Sequence, residues 1–139
     1  MDYKKFGNSI IARIDKGEEI GEKVKEIALK ENVVLAAVSA LGAVDSFTVG
    51  VFKTGEKKYY SSSFEGDFEI VSLTGTISTM NGEFYLHLHM SAGDEKGKVF
   101  GGHFNNAVVS ATCEMVINII DGTADREFNN EIGLNLFRF

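Results

Sequence analysis

From Phe84 to Met90 apolar and polar side chains alternate. Phe84, Leu86, Leu88 and Met90 share one parity, and Tyr85, His87, His89 and Ser91 share the other. A helical face repeats every 3.6 residues and a strand face every two, so this pattern is a half-buried strand. Both imidazoles then project from one face, with Cα atoms about 6.5–7 Å apart. The polar run Gly93-Asp94-Glu95-Lys96-Gly97 turns the chain, and Lys98-Val99-Phe100 begins a return strand. With the hairpin centred on Glu95, His87 faces His103, and facing residues stand on the same side with Cβ atoms about 4.5–5.5 Å apart. All three histidines of the chain then meet on one patch. A slip of one residue, such as a bulge at Gly101-Gly102, sends His103 to the opposite face.

Three neutral imidazoles around one point are the ligand set of an open metal site. Zn²⁺ takes histidine nitrogens at about 2.0–2.1 Å and keeps a fourth position for water or a ligand. His87, His89 and His103 are the candidate ligands. The competing reading is three polar residues on the wet face of a sheet. His-x-His alone is a weak signal, because any i, i+2 pair shares a strand face; a third histidine across the turn strengthens it.

A chain of 139 residues is long enough for one domain, spanning 1–139, with a real core. Fifteen glycines and no proline suit strands joined by glycine turns. No apolar run approaches the 18–20 residues or so of a membrane span, and MDYKKFGNSI has no secretory h-region. The one cysteine, Cys113, lies among apolar neighbours, reads as an inert buried thiol and fits a reducing cytoplasm. Net charge is −6, and the densest basic clusters are the pairs Lys4-Lys5 and Lys57-Lys58. Nucleic-acid binding rests on clustered cations, so charge does not support it.

In chain order, Phe6–Ile14 reads as a first strand. Asp15-Lys16-Gly17-Glu18 resembles a capping box, and Ile20, Val24, Ile27 and Ala28 recur at helical spacing, which predicts an amphipathic helix over 17–31. Glu19–Lys23, Glu26–Lys30 and Glu22–Lys25 are surface pairs along it. Val33–Ala40 is a buried strand, Leu41–Val44 a small-residue turn, and Phe47–Phe52 another strand. Ser61-Ser62-Ser63 reads as a loop before the β-rich stretch Gly66–Thr79. There Glu69 shares parity with Val71, Leu73 and Ile77, so its carboxylate needs a partner, and Arg13 is the candidate. Ala107–Ile120 is a long β run with Glu114 on its polar parity, and Leu134–Phe139 closes the chain. The expectation is an α+β domain: a mostly antiparallel sheet of seven or eight strands with one main helix packed on it. One helix leaves part of the sheet open, and self-association would cover it, which predicts a homo-oligomer.

The segment GDFEIVSLTGTI (66–77), followed by Leu86-His87-Leu88-His89-Met90-Ser91, resembles the PPC (plants and prokaryotes conserved) domain. So do Gly101-Gly102-His103, Ala107–Glu114, Arg13–Glu19 and Ala40–Val44, so the likeness spans nearly the whole chain. The resemblance implies a trimer-forming, stand-alone cytoplasmic domain of the bacterial or archaeal type. It places the histidine triad of relatives, some of which hold a metal, on His87, His89 and His103. Asn105-Asn106 departs from the more apolar pair that follows the histidine in relatives. The family carries a DNA-binding label largely through plant members with an AT-hook. That hook needs an Arg-Gly-Arg-Pro core, which a chain without proline cannot contain.

Three readings of function follow. The first is a trimeric regulatory or binding module whose histidines hold zinc or a small ligand. The second is an enzyme in which Zn²⁺ lowers the pKa of bound water towards about 7, with Glu69 or Glu114 as general base. The third is DNA binding, which would need a partner chain or a basic patch formed on assembly.

Overall fold

Without proline every residue can donate to a β-ladder, and the strands run long. A computed structural model describes residues 1–139. In chain order the elements are β1 (Asp2–Phe6), β2 (Ser9–Asp15), α1 (Ile20–Lys30), β3 (Ala36–Lys53), β4 (Lys58–Met80), β5 (Glu83–Gly93), β6 (Val99–Ile119), β7 (Asp125–Asn129) and β8 (Leu134–Arg138). Six strands form one antiparallel sheet in the order β1-β2-β6-β3-β4-β5, and β5 also pairs back to β6, so β6, β3, β4 and β5 close into a ring. β7 and β8 make a separate hairpin. Eight strands and one helix are the α+β architecture that the residue patterns predict.

Strand lengths differ from expectation. β3, β4 and β6 have 18, 23 and 21 residues, against a usual range of roughly 3–10. The turn expected at Leu41–Val44 is continuous β3, bent by register shifts between Ala40 and Gly42 and between Val44 and Ser46. Such bulges bend a strand and increase its twist without ending it, which lets one chain segment wrap a closed ring. The expected serine loop is also strand: Ser61, Ser62 and Ser63 pair with Gly50, Val49 and Thr48. Ladder bonds come from the backbone, so exposed serines can continue a strand. The expected first strand is instead the β1–β2 hairpin, turning at Gly7-Asn8.

The helix buries Ile20, Val24, Ile27 and Ala28, the residues that the 3.6-residue periodicity selects. Its first expected turn is missing because that backbone is used elsewhere. Gly17 N–H donates to the Val109 carbonyl (2.8 Å) and Val109 N–H to the Glu18 carbonyl (3.0 Å). Glu18 still acts as a cap, accepting from Asp15 N–H (2.8 Å), while Glu19 at the N-cap accepts from the backbone N–H of Glu22 (2.6 Å) and of Ala107 (3.0 Å). The helix start is thereby tied to β6. None of the three expected surface pairs forms; Lys23 instead bridges Glu26 and Glu18. Inside the ring Phe47 stacks on Phe64 at 4.9 Å and meets Phe68 edge-on at 5.1 Å, so the aromatic residues fill what the single helix cannot reach.

The Arg13–Glu69 ion pair does not form. Arg13 binds Asp15 (Nε to Oδ1, 2.7 Å). β2 and β4 are separated by β6 and β3, so the two residues lie three strand spacings apart, about 14 Å. A register shift between Ile70 and Ser72 also breaks the parity linking Glu69 to Leu73, leaving Glu69 and Val71 exposed in water.

Candidate metal centre

β5 keeps its alternation: Leu88 and Met90 point into the core, while His87 and His89 stand on the other face. The turn after β5 is Asp94–Lys98. The Asp94 carboxylate accepts the N–H groups of Lys96 and Lys98, both at 2.9 Å, and Asp94 and Lys98 are bonded through their backbones at 3.0 Å. This centres the hairpin on Lys96 rather than Glu95, so His103 faces His89, not His87. The difference is two residues, an even number, and the face of His103 is preserved.

Close backbone approach completes the cluster. Gly102 sits beside Gly50 of β3, and a Cβ there would lie 2.5 Å from the Gly50 carbonyl oxygen. On the other side of β5, a Cβ on Gly75 would run into the His87 carbonyl oxygen. Ring centroids are 5.3 Å (His87–His89), 5.1 Å (His87–His103) and 5.6 Å (His89–His103) apart. One nitrogen from each ring lies within 4.8 Å of the other two. Donors of a tetrahedral zinc site are about 3.3 Å apart, so modest side-chain rotations close the set.

Burial, then electrostatic repulsion of a charged ring by neighbouring His103, Arg126 and His89, lowers the His87 pKa to about 4. His103 is lowered as well, by burial and by His89. Both rings are neutral at pH 7 and keep a lone pair for a cation, the form that metal ligation requires.

The histidines line a cavity of about 1100 Å³. Phe64 and Phe100 contribute apolar wall, and Tyr59 hydrogen-bonds Asn105 (2.5 Å) while meeting His103 edge-on at 5.9 Å. Asn105, the departure from the family pattern, therefore anchors a wall of the site. The β7–β8 hairpin forms another wall. Thr79 Oγ1 donates to Asp125 (2.8 Å), and the Arg126 guanidinium reaches Ser78 Oγ (2.9 Å) and the Asn135 carbonyl (3.0 Å). Arg126 is only 5% exposed and its guanidinium lies against the rings of Tyr85 (4.8 Å) and Phe137 (3.9 Å).

Tyr59 and Arg126 are site residues that sequence reading missed. Arg126 sits between Asp125 and Glu127, and no periodicity there marks an inward side chain. The two carboxylates considered as general bases are elsewhere. Glu69 and Glu114 are exposed, and neither lines the cavity.

In overall structure the chain is similar to a proposed DNA-binding protein from Bacteroides thetaiotaomicron, with a TM-score of 0.96 and 30% identity over 99% of this chain and 96% of that one. It is similar also to a metal-containing protein from Archaeoglobus fulgidus (TM-score 0.90, 28% identity, 100% and 99% covered). A third similar structure is a plant- and prokaryote-conserved protein from Pyrococcus horikoshii (TM-score 0.86, 28% identity, 99% and 95% covered). No curated protein matches the chain in sequence. The family model of the Plants and Prokaryotes Conserved (PCC) domain matches residues 1–121, which include every histidine and stop short of β7. With a family match across most of its length and the same fold as these neighbours, the chain belongs to the Plants and Prokaryotes Conserved domain family.

Proposed function

We propose that this protein is a small-ligand binding module built around a divalent metal, zinc by the character of its donors, held by His87, His89 and His103. The observation that carries this reading is the cluster of ring nitrogens, one per histidine, within 4.8 Å of one another beside a cavity of about 1100 Å³. Imidazole donors suit zinc among the divalent cations. Three protein ligands leave a position open to the cavity, where a bound Zn²⁺ would act as a Lewis acid towards a ligand oxygen. The metal-containing neighbour from Archaeoglobus fulgidus supports the reading by likeness. The protein's own part is to hold three imidazole rings on paired strands and to wall the site with aromatic side chains.

The module works as a cytoplasmic homotrimer in this proposal. Support comes from apolar side chains left exposed on strands, among them Ile11, Leu41, Val71 and Val99, which self-association would cover. Light scattering should give the mass of three 15.2 kDa chains. A monomer at micromolar concentration would remove this part. DNA binding is the less favoured reading, because a net charge of −6 offers no continuous cationic track for phosphates.

Metal analysis of protein purified without an affinity tag is the deciding experiment. One zinc per chain in the wild type, lost in His87→Ala and His103→Ala, is the expected result. Absence of metal from every preparation, including protein dialysed against zinc, would overturn the reading.

A further inference from the structure

We propose that Arg126 is the anion-binding group of this cavity, and that the ligand taken between it and the metal is a small organic acid bound through a carboxylate. The inference deepens the metal reading above and rests on it.

The first observation is a charge imbalance. The chain carries 20 Asp and Glu and a net charge of −6, yet no carboxylate lines the cavity. Its charged side chain is Arg126, and its ligand set is three imidazoles, which bring no negative charge. A divalent cation on those rings adds positive charge to a wall that already has one uncompensated guanidinium. Unpaired buried charge is costly, so the loaded cavity favours an anion.

The second observation is the state of Arg126 itself. It is 5% exposed and pairs with no carboxylate. Its partners are neutral: Nε donates to Ser78 Oγ (2.9 Å), Nη1 to the Asn135 carbonyl (3.0 Å) and Nη2 to Thr76 Oγ1 (3.5 Å). A guanidinium has five N–H groups, so each terminal nitrogen keeps one uncommitted and open to an anionic acceptor. The rings of Tyr85 (4.8 Å) and Phe137 (3.9 Å) lie beside the guanidinium and supply no negative charge to pair with it.

Position connects the two observations. Thr76, which Nη2 reaches, faces His87 directly across the β4–β5 ladder, with Cβ atoms about 4.5–5.5 Å apart in such a pair. One small molecule can therefore address both the guanidinium and the open metal position. Eleven of the twenty lining residues are hydrophobic, which suits the carbon skeleton of an organic acid better than a hydrated inorganic anion.

Calorimetric titration tests the proposal, with malonate as probe, malonamide as its neutral counterpart and inorganic phosphate as the competing anion. Zinc content is measured on every sample. Zinc-loaded wild type should bind malonate in preference to both comparators. Arg126→Gln should weaken malonate about tenfold or more at unchanged zinc content. Arg126→Lys keeps the charge but loses the guanidinium, and should recover only part of the affinity. Equal malonate affinity in wild type and Arg126→Gln would overturn the proposal, as would malonate binding no tighter than malonamide or phosphate. Should Arg126→Gln fail to fold, Arg126→Lys decides, and wild-type affinity in that variant refutes the role of the guanidinium. Should no sample take up zinc, the metal reading fails by itself. Malonate binding by metal-free wild type that Arg126→Gln loses would then still uphold the arginine, and equal or no binding would overturn it.

Discussion

Replacing Gly102 by alanine probes the packing that aims His103. A Cβ at this position would lie 2.5 Å from the Gly50 carbonyl oxygen and 3.2 Å from the Gly50 carbonyl carbon and nitrogen. All three are backbone atoms, so no side chain can swing aside. Carbon–oxygen contacts between strands settle at about 3.3–3.6 Å, so β6 and β3 must part by about 0.8 Å or more. Overpacking of this kind costs about 1–3 kcal/mol, a fall in Tm of about 3–10 °C for a domain of this size. His103 is the next residue, and a functional constellation tolerates displacements of only about 0.5 Å. Zinc affinity should therefore fall about tenfold or more. Calorimetric melting of metal-free protein measures the clash, and zinc competition against a chromophoric chelator measures the site. Gly55→Ala is the control, since its Cβ meets nothing within 4 Å; it should change stability by less than about 1 kcal/mol. Wild-type melting and wild-type zinc affinity in Gly102→Ala would refute the link between backbone approach and site geometry.

Two further predictions follow from burial. Folded His87, with its pKa lowered to about 4, holds a proton less tightly than the unfolded chain, where histidine titrates near 6.5. Protons therefore favour unfolding: this contribution to stability is fully present above about pH 6.5 and is lost as pH falls towards 4. The urea midpoint of metal-free protein should drop between pH 6.5 and 5, above the range where Asp15, Glu18 and Asp125, all lowered by their partners, begin to protonate. A midpoint that stays level there, or falls equally in His87→Gln, counts against the shift. Cys113 is fully buried and its thiol is pushed up to about 12, first by burial and then by Glu114. Iodoacetamide should label it only after unfolding, and labelling of the native protein at the rate of a free thiol would contradict its burial.

The parts legible in the sequence are those fixed by short-range periodicity. Ile20, Val24, Ile27 and Ala28 identify the buried helix face because every turn repeats the same geometry. The convergence of the histidines withstood a wrong turn centre, since an error of two residues leaves every side chain on its own face. Glu69 shows the opposite outcome. Parity along β4 fails at the bulge after Ile70, so the carboxylate that looks inward from its spacing stands in water. Bulges in β3 likewise turned an expected break into continuous strand, because ladder bonding depends on backbone that exposed or small side chains do not reveal.

Sequence alone determined the helix face, the alternation that sets His87 and His89 together, the absence of a basic track and the inertness expected of Cys113. Each depends on neighbours within a few residues or on composition. Tertiary structure alone decided that β5 returns to β6 to close the ring, that Arg13 meets Asp15, and that Arg126 lies on the cavity wall near His87. The guanidinium comes from a strand nearly forty positions beyond that histidine, and its partners Thr76, Ser78 and Asn135 lie on two other strands. Contacts of that separation follow from how sheets close and pack, which no local pattern of side chains encodes.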